Sequence, residues 1–218
     1  MSNTIAYISE ALEAKSFGYT EEVIGEDANG PIRALVIEGE YQRAEQKNKN
    51  QRVYSEALLG RETNILIEMI KERGGIPGEL DHPLPGNTEK DLLLAQRVSM
   101  RTAAVLNTHL EMNNRIVYGK SRVIEESVDG KSLAGFIRAK WKPGISSRGL
   151  GGKPMMSAEG YLQVPMDYRM VTYDIVSNPS NHNSILRQRM DEEFAMFEAE
   201  MKSKQSNMFS FFTGLTKK

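Results

Sequence analysis

The feature that most constrains this chain is a glycine-rich stretch that directly follows Pro143. From Gly144 to Gly152 the sequence is Gly-Ile-Ser-Ser-Arg-Gly-Leu-Gly-Gly. Glycine permits backbone conformations that other residues avoid, and it lets a second backbone come close. The stretch therefore predicts a loop that can hold a serine hydroxyl in the open, beside backbone N–H groups able to stabilise an oxyanion. The alternative is a simple glycine-rich connector between a helix and a strand.

Composition limits the classes of function. The 218 residues suit one domain with appendages, and a hydrophobic content of 39% can form a core. Because 28 basic residues nearly balance 29 acidic ones, the net charge does not attract the chain to nucleic acid or to an anionic membrane. The sequence has no cysteine, which excludes thiolate metal sites, and its three histidines lack the HExxH spacing. We predict a soluble, intracellular protein without metal, cofactor or membrane span.

The first half of the sequence predicts a leader, a strand, a helix and a β-hairpin. Residues 1–30 combine a short helical pattern with an acidic, glycine-containing segment, which predicts a mobile leader. A β-branched run predicts a strand over 32–41. Ser55 is the predicted N-cap of a helix that ends at Gly74. Alternating apolar residues predict a hairpin over 103–124, with its turn at Asn113 and Asn114.

The second half predicts two more helices and two more strands. Ser132 is the predicted cap of a helix that Pro143 stops. Strands are expected over 161–164 and 169–176. The main domain, 31–204, is predicted to end in a long amphipathic helix, followed by a flexible tail over 205–218. Hairpin-connected strands with interspersed helices predict an α+β fold, an antiparallel sheet or barrel flanked by helices.

Three residues suited to hydrolytic chemistry lie in well-separated segments. His82 precedes a proline, which favours an extended backbone and a rigid mount for the imidazole. Asp174 interrupts an apolar strand, where aspartate is rarely buried without a partner. A serine nucleophile needs a base, and the base needs an acid that orients it. Each residue taken singly also has a purely structural explanation, and His109 is interpreted as a solvated strand residue.

The order of these residues is His82, Ser146, Asp174, which differs from the orders of chymotrypsin, subtilisin and the α/β-hydrolases. Their surroundings resemble those of the prohead (capsid maturation) proteases of tailed phages, in particular the T-even type, which share a fold with the herpesvirus assemblins. In this family an asparagine stands at the position of Asp81, and the extra charge would tune His82 without changing its assignment. The matching segments are Asn48-x-Asn50-x-Arg52-x-Tyr54, Gly78-Glu79-Leu80-Asp81-His82-Pro83, Tyr118 to Glu125, Ile137 to Gly151, and Asp174-x-Val176-x-x-Pro179-Ser180.

The resemblance implies a serine endopeptidase with an assemblin-like antiparallel β-barrel flanked by helices, and it implies no cofactor. It assigns His82 as general base, Ser146 as nucleophile and Asp174 as orienting acid. Ser146 is preferred to its neighbour because the first serine is the nucleophile in the matching motif; the residues alone do not separate the two. The candidates for the oxyanion site are the Arg148 side chain and the backbone amides of Ser147, Arg148 and Gly149.

The resemblance also implies a substrate class and a setting. Proteases of the T-even type cut after glutamate, with leucine or isoleucine two residues earlier and a small residue after the cut. Glu10 and Glu126 lie in such sequences, the first as a site of self-trimming and the second as a site of self-inactivation. The expected substrates are scaffold, core and capsid proteins, cleaved inside the assembling prohead in the host cytoplasm. We expect a homo-oligomer, a dimer or a ring, with the last helix as an interface and no bound nucleic acid.

Two other functions compete with this interpretation. A non-enzymatic scaffold or core protein of the prohead would account for the last helix and the aromatic tail. It would not need His82, Ser146 and Asp174 together. An esterase or amidase could use the same three residues, and it would turn over small esters but not a peptide bearing Ile-x-Glu-Ala.

Overall fold

The structure is a computed structural model that describes residues 6–12, 17–83 and 95–177. In this part of the chain, mostly antiparallel sheets are flanked by two helices. The predicted last helix and the tail lie outside these residues. The described residues fall within one unit, residues 1–177. In chain order the elements are β1 (Ala6–Leu12), β2 (Phe17–Asp27), β3 (Gly30–Arg43), β4 (Arg52–Val53), α1 (Glu56–Arg73), β5 (Ile76–Glu79), β6 (Ala103–Asn113), β7 (Ile116–Val123), α2 (Val128–Arg138), β8 (Gly144–Gly151), β9 (Met155–Met156), β10 (Leu162–Gln163) and β11 (Arg169–Val176).

The largest sheet has five strands in the order β2-β3-β7-β6-β5, all paired antiparallel. The predicted hairpin over 103–124 is confirmed as strands β6 and β7. Its turn lies one residue later than predicted, at Asn114 and Arg115, whose φ angles of 48° and 69° are the left-handed conformations that a tight hairpin turn requires. Apolar side chains of this sheet, among them Leu35, Ile37 and Val105, are buried in the core.

A second sheet, in the order β1-β8-β11, carries two of the three predicted site residues. It joins the five-stranded sheet through a parallel bridge between Leu80 and Ile175, just after β5. Gly78 makes this approach possible, because a Cβ there would lie 2.3 Å from the carbonyl oxygen of Tyr173 in β11. A small third sheet has the order β4-β10-β9. The predicted α+β class with mostly antiparallel strands is confirmed, and among the described strands no ladder closes the sheets into a barrel.

The glycine-rich stretch is a buried strand, β8, and the predicted loop is wrong. Its backbone pairs with β1 on one edge and with β11 on the other, so the ladders satisfy its polar groups without a turn. Residues 144–149 are buried. Close packing explains Gly149: a Cβ there would lie 2.4 Å from the Tyr168 ring and 2.5 Å from the carbonyl oxygen of Arg169.

The two helices differ in how well their starts were predicted. Ser55 caps α1 as expected, accepting the Leu58 N–H at 3.2 Å, and Gly74 ends the helix in a left-handed conformation. Helix α2 begins earlier than predicted, because Ser127 is its N-cap and accepts the Gly130 N–H at 3.0 Å. Ser132 lies inside the helix, and its hydroxyl donates to the carbonyl oxygen of Val128 at 3.1 Å.

The expected mobile leader over residues 1–30 contains two strands where the structure describes it. Strand β1 pairs with β8, and β2 pairs with β3 over most of its length. The side chains of β2 gave little signal because several of its apolar residues, such as Val23 and Ile24, are exposed. Backbone pairing rather than burial therefore holds this strand. Among the described residues, no helix is long and apolar enough to cross a bilayer, and no cluster of His, Asp and Glu is arranged as a metal site.

Candidate active site

The structure brings His82, Ser146 and Asp174 into one hydrogen-bonded row. The His82 Nε2 atom lies 2.5 Å from the Ser146 Oγ, and its Nδ1 atom lies 2.8 Å from the Asp174 Oδ2. A carboxylate only accepts hydrogen bonds, so the Nδ1 atom carries the proton and the Nε2 atom is free to accept one. The Ser146 hydroxyl therefore donates to a base whose orientation Asp174 holds.

Two neighbouring strands and one turn place these side chains. Ser146 in β8 lies directly opposite Asp174 in β11 in the antiparallel register. His82 follows the bridge that joins β5 to β11, where the Asp81 N–H donates to the Ile175 carbonyl at 2.7 Å. Asp81 itself has a φ angle of 60° and accepts the Ser177 N–H at 2.9 Å through its carboxylate. Aspartate and asparagine both suit such a position, which accounts for Asp81 where the resembling family has asparagine.

Asp174 is held from several directions and is fully buried. Its Oδ1 atom accepts the backbone N–H of Glu79 at 2.8 Å and the Arg148 Nη2 at 3.2 Å. The Arg148 Nε lies 2.8 Å from the Oδ2 atom that also faces His82. A buried carboxylate requires such partners, because desolvation strongly disfavours an isolated charge. The contacts leave Asp174 little freedom to turn away from the imidazole.

Glu79 is a buried residue of the site that sequence analysis missed as a functional residue. Its Oε2 atom lies 2.6 Å from the Arg148 Nη2, so Arg148 bridges two carboxylates. Its Oε1 atom accepts hydrogen bonds from the Thr102 hydroxyl and from the Ser99 N–H, the latter at 3.3 Å. The available signal was a glutamate at the end of an extended apolar segment, three residues before His82.

The Arg148 side chain, a predicted candidate for the oxyanion site, is buried among charged partners. The guanidinium has no exposed surface and is engaged by Asp174 and Glu79, with a further bond from its Nη1 to the Arg97 carbonyl at 3.4 Å. Its charged groups are thus engaged by the acid of the row and by Glu79. The backbone amides of 147–149 belong to a strand with both edges paired. The Ser147 hydroxyl is buried, and it has no hydrogen-bond partner among the residues that the structure describes.

The two predicted self-cleavage sequences occupy different positions. In the register of β1 against β8, Glu10 lies opposite Ser147 and Ala11 opposite Ser146, so the bond between them pairs beside the backbone of the candidate nucleophile. Glu126 immediately precedes Ser127, the N-cap of α2. Next to it, the Glu125 carboxylate pairs with Arg138 of the same helix at 2.6 Å. The first sequence thus lies at the site, and the second forms the start of a helix.

Two residues near these elements lie away from the hydrogen-bonded row. His109 is exposed, as expected for a solvated strand residue, and its nearest charged neighbour is Glu111 at 3.9 Å. Tyr173, beside Asp174 in β11, points into the core and donates to the Gln42 side chain at 3.1 Å. Burial raises the pKa of Tyr173 well above its usual value, which keeps the phenol neutral at ordinary pH.

The chain is similar to known proteins in sequence and in structure. The sequence model of a family described as prohead core protein serine protease matches residues 10–193. The prohead core protein protease of enterobacteria phage T4 is 36% identical over 149 residues, which is 67% of this chain and 65% of that relative's own length. The solved structure of the bacteriophage T4 capsid assembly protease is similar, with a TM-score of 0.65 and 29% identity. That alignment covers 81% of this chain and all of the T4 chain.

Proposed function

The chain belongs to the family of prohead core protein serine proteases, and on this premise we propose that it is a serine endopeptidase. The observation that carries the proposal is the row in which His82 contacts Ser146 at 2.5 Å and Asp174 at 2.8 Å. These distances suit proton transfer from the hydroxyl to the imidazole. His82 acts as general base, Ser146 as nucleophile and Asp174 as the acid that orients the base.

In the first half of the reaction, His82 Nε2 takes the Ser146 hydroxyl proton while the Oγ atom bonds to the scissile carbonyl carbon. The carbonyl oxygen becomes an oxyanion, and Asp174 stabilises the imidazolium that forms. His82 then gives the proton to the leaving nitrogen, the C–N bond breaks, and an acyl-enzyme remains on Ser146. In the second half, water attacks the ester with His82 again as base, which releases the acid and restores the serine.

The backbone of β8 is the proposed source of oxyanion donors, in place of the Arg148 side chain. Successive residues of an antiparallel strand direct their N–H groups to alternate neighbours. Among residues 147–149, the amides that face β1 lie on the edge where the predicted cleavage sequence pairs. A substrate strand that replaces β1 would meet the same donors. This edge therefore serves both to hold the extended substrate and to stabilise the developing charge.

We propose that the first substrate is the chain's own segment before Ala11. The Glu10–Ala11 bond lies opposite Ser146 and Ser147, which is the placement of a substrate strand across a nucleophile. Glutamate before the cut, isoleucine two residues earlier and alanine after it fit the preference that the family resemblance implies. Cleavage there would release residues 1–10 and open the edge of β8 to other substrates.

Cleavage after Glu126 is proposed as the self-inactivating step. It would separate Ser127 from the residues before it, where the Ser127 side chain caps α2 and donates to the Ala103 carbonyl at 2.8 Å. A cut at this point removes the fixed entry of a helix whose Leu133 and Ile137 are buried in the core. We therefore expect loss of packing and of activity to follow this cleavage.

The proposed substrates beyond the chain itself are scaffold, core and capsid proteins of the prohead, cleaved inside the assembling particle in the host cell. The names of the T4 relatives, a prohead core protein protease and a capsid assembly protease, support this assignment. We further propose that the chain works as a homo-oligomer, and unchanged specific activity on dilution to the monomer would contradict this. An assemblin-like barrel is also proposed, supported by the continuous linkage of strands from β2 to β1.

Intact mass over time tests the enzymatic proposal directly. Purified wild type and Ser146→Ala are incubated side by side, and we expect loss of residues 1–10 in the wild type alone. If neither protein changes when prohead proteins are supplied, a non-enzymatic scaffold role explains the chain better. If both proteins are trimmed alike, either a contaminating protease is acting or Ser147 is the nucleophile, and Ser147→Ala becomes the informative variant.

A further inference from the structure

Three buried charged side chains, Asp174, Arg148 and Glu79, lie in contact with one another beside the partly buried His82 imidazole, and we name these four residues the charged cluster. Arg148 and Asp174 have no exposed surface, and Glu79 is 5% exposed. The cluster is continuous, since Arg148 contacts Asp174 at 2.8 Å and Glu79 at 2.6 Å. Charges this close interact strongly because little water screens them.

Glu79 changes the net charge that the cluster carries before and after proton transfer from Ser146. Arg148 carries one positive charge and lies against Asp174, so a cluster of these two alone would be neutral while His82 is neutral. Proton transfer from Ser146 would then leave an imidazolium beside a compensated pair, with an unmatched positive charge in a buried site. With Glu79 present, the cluster carries one negative charge before the transfer and none after it. Burial favours the neutral arrangement.

We propose that Glu79 is a positioning residue that compensates Arg148, so that the charge of Asp174 remains available to the His82 imidazolium. This inference rests on the proposed serine protease activity and assigns Glu79 a part in it, acting through Arg148 and Asp174. Arg148 in turn holds Asp174 in place, because its Nη2 donates to the Oδ1 atom at 3.2 Å.

The backbone around Glu79 is built to keep its charge in place. The Thr102 hydroxyl and the Ser99 N–H both donate to the Oε1 atom, which leaves Oε2 directed at Arg148. The Glu79 backbone N–H donates to the Asp174 Oδ1 at 2.8 Å. Glu79 thus binds Asp174 through its backbone amide and Arg148 through its carboxylate.

The experiment compares self-processing of four full-length proteins by intact mass, with melting temperatures as a measure of folding. Glu79→Gln keeps an oxygen for Thr102 and Ser99 but removes the charge. We expect it to slow the loss of residues 1–10 by about 10- to 100-fold, from removing one nearby charge in a poorly screened site. With a peptide containing Ile-Ser-Glu-Ala, kcat should fall while KM stays within about twofold, since Glu79 does not touch substrate.

The double variant Glu79→Gln with Arg148→Met is the decisive sample. It removes both compensating charges, leaves Asp174 facing His82, and fills the arginine site with a flexible apolar chain. Replacing both members of a buried ion pair disturbs folding less than removing one. We expect the double variant to process at least about tenfold faster than Glu79→Gln. With both charges removed, Asp174 again gives the cluster one net negative charge before proton transfer, as in the wild type. A purely structural role for Glu79 predicts no such recovery.

Glu62→Gln is the matched control, because Glu62 is also a buried glutamate paired with an arginine, at 2.7 Å from Arg61. It lies outside the proposed row and should process within about threefold of wild type. The inference about Glu79 would be overturned if Glu79→Gln processed at the wild-type rate. It would also be overturned if the double variant were as slow as Glu79→Gln. Either result would leave the proposed protease function standing. Equal slowing by Glu62→Gln would also overturn the inference about Glu79. A wild type that never processes would overturn the proposed function and this inference with it.

Discussion

Asp174→Asn tests the proposed mechanism most directly, because the surrounding donors determine how the new amide must lie. The Oδ1 position accepts from the Glu79 N–H and from the Arg148 Nη2, and neither can accept in return. The asparagine oxygen therefore favours this position, where it accepts two hydrogen bonds, over the Oδ2 position, where Arg148 Nε at 2.8 Å is the one donor that cannot change its role. The asparagine NH2 group is then placed where Oδ2 now lies, facing His82 Nδ1 at about the present 2.8 Å.

An NH2 group at that position reverses the hydrogen bond to the histidine. His82 Nδ1 must accept, so the ring proton moves to Nε2 and meets the Ser146 hydroxyl as a donor. The base can no longer take the serine proton, and the imidazolium loses its counter-charge. Loss of the acid in this way lowers kcat by about 10⁴-fold in the chymotrypsin case, equivalent to about 5.5 kcal/mol of transition-state stabilisation. We expect a loss of the same order here.

The assay is the first-order rate at which residues 1–10 disappear, followed by intact mass, with urea unfolding to measure stability. The free energy of unfolding should fall by about 1–3 kcal/mol. Arg148 keeps its ion pair with Glu79, but it loses the negative charge of Asp174 as its second partner. Asp167→Asn is the control, since this exposed carboxylate also accepts a backbone N–H, from Gly152 at 2.9 Å. A folded Asp174→Asn protein that processes within tenfold of wild type would refute the role assigned to Asp174.

Two further predictions concern stability. Ser127→Ala should lower the free energy of unfolding by about 1–2 kcal/mol, because it removes the cap of α2. The control Ser132→Ala should change it by less than about 0.5 kcal/mol. Urea denaturation compares the two variants, and equal losses would contradict the assigned cap. Burial raises the pKa of Tyr41 and of Tyr173, so the native state keeps both protons above about pH 10, where the unfolded chain releases them. Stability should therefore fall as pH rises beyond about 10, and Tyr41→Phe should make that fall shallower in unfolding measured across pH.

Prediction from sequence succeeded where local chemistry decides structure. Ser55 and Gly74 bound α1 as expected, because a hydroxyl cap and a left-handed glycine act within one helical turn. The β6–β7 hairpin was found from its alternation and its asparagine turn. The start of α2 was misplaced at Ser132, whereas in the structure Ser127 accepts the Gly130 N–H and Gly130 packs against the Ile124 carbonyl oxygen.

Prediction failed where long-range pairing decides structure. The glycines of 144–152 indicate a loop by propensity, yet two strands distant in sequence supply hydrogen bonds on both edges of β8. Strand β2 was missed for the same reason, since pairing with β3 holds it without an apolar face. The partners of the Arg148 side chain were not predicted either, because Asp174 and Glu79 lie far from it in the sequence.

The sequence by itself determined the chemical elements of the candidate site: a histidine before a proline, a serine among glycines, and an aspartate in an apolar strand, in motifs specific enough to indicate the family. Their chemistry depends on residue type, which the sequence states directly. Only the tertiary structure decided that Glu79 joins them, that Arg148 faces Asp174, and that Glu10 pairs opposite Ser147. These relations depend on strand register and on burial, and both arise from contacts between segments far apart in the chain.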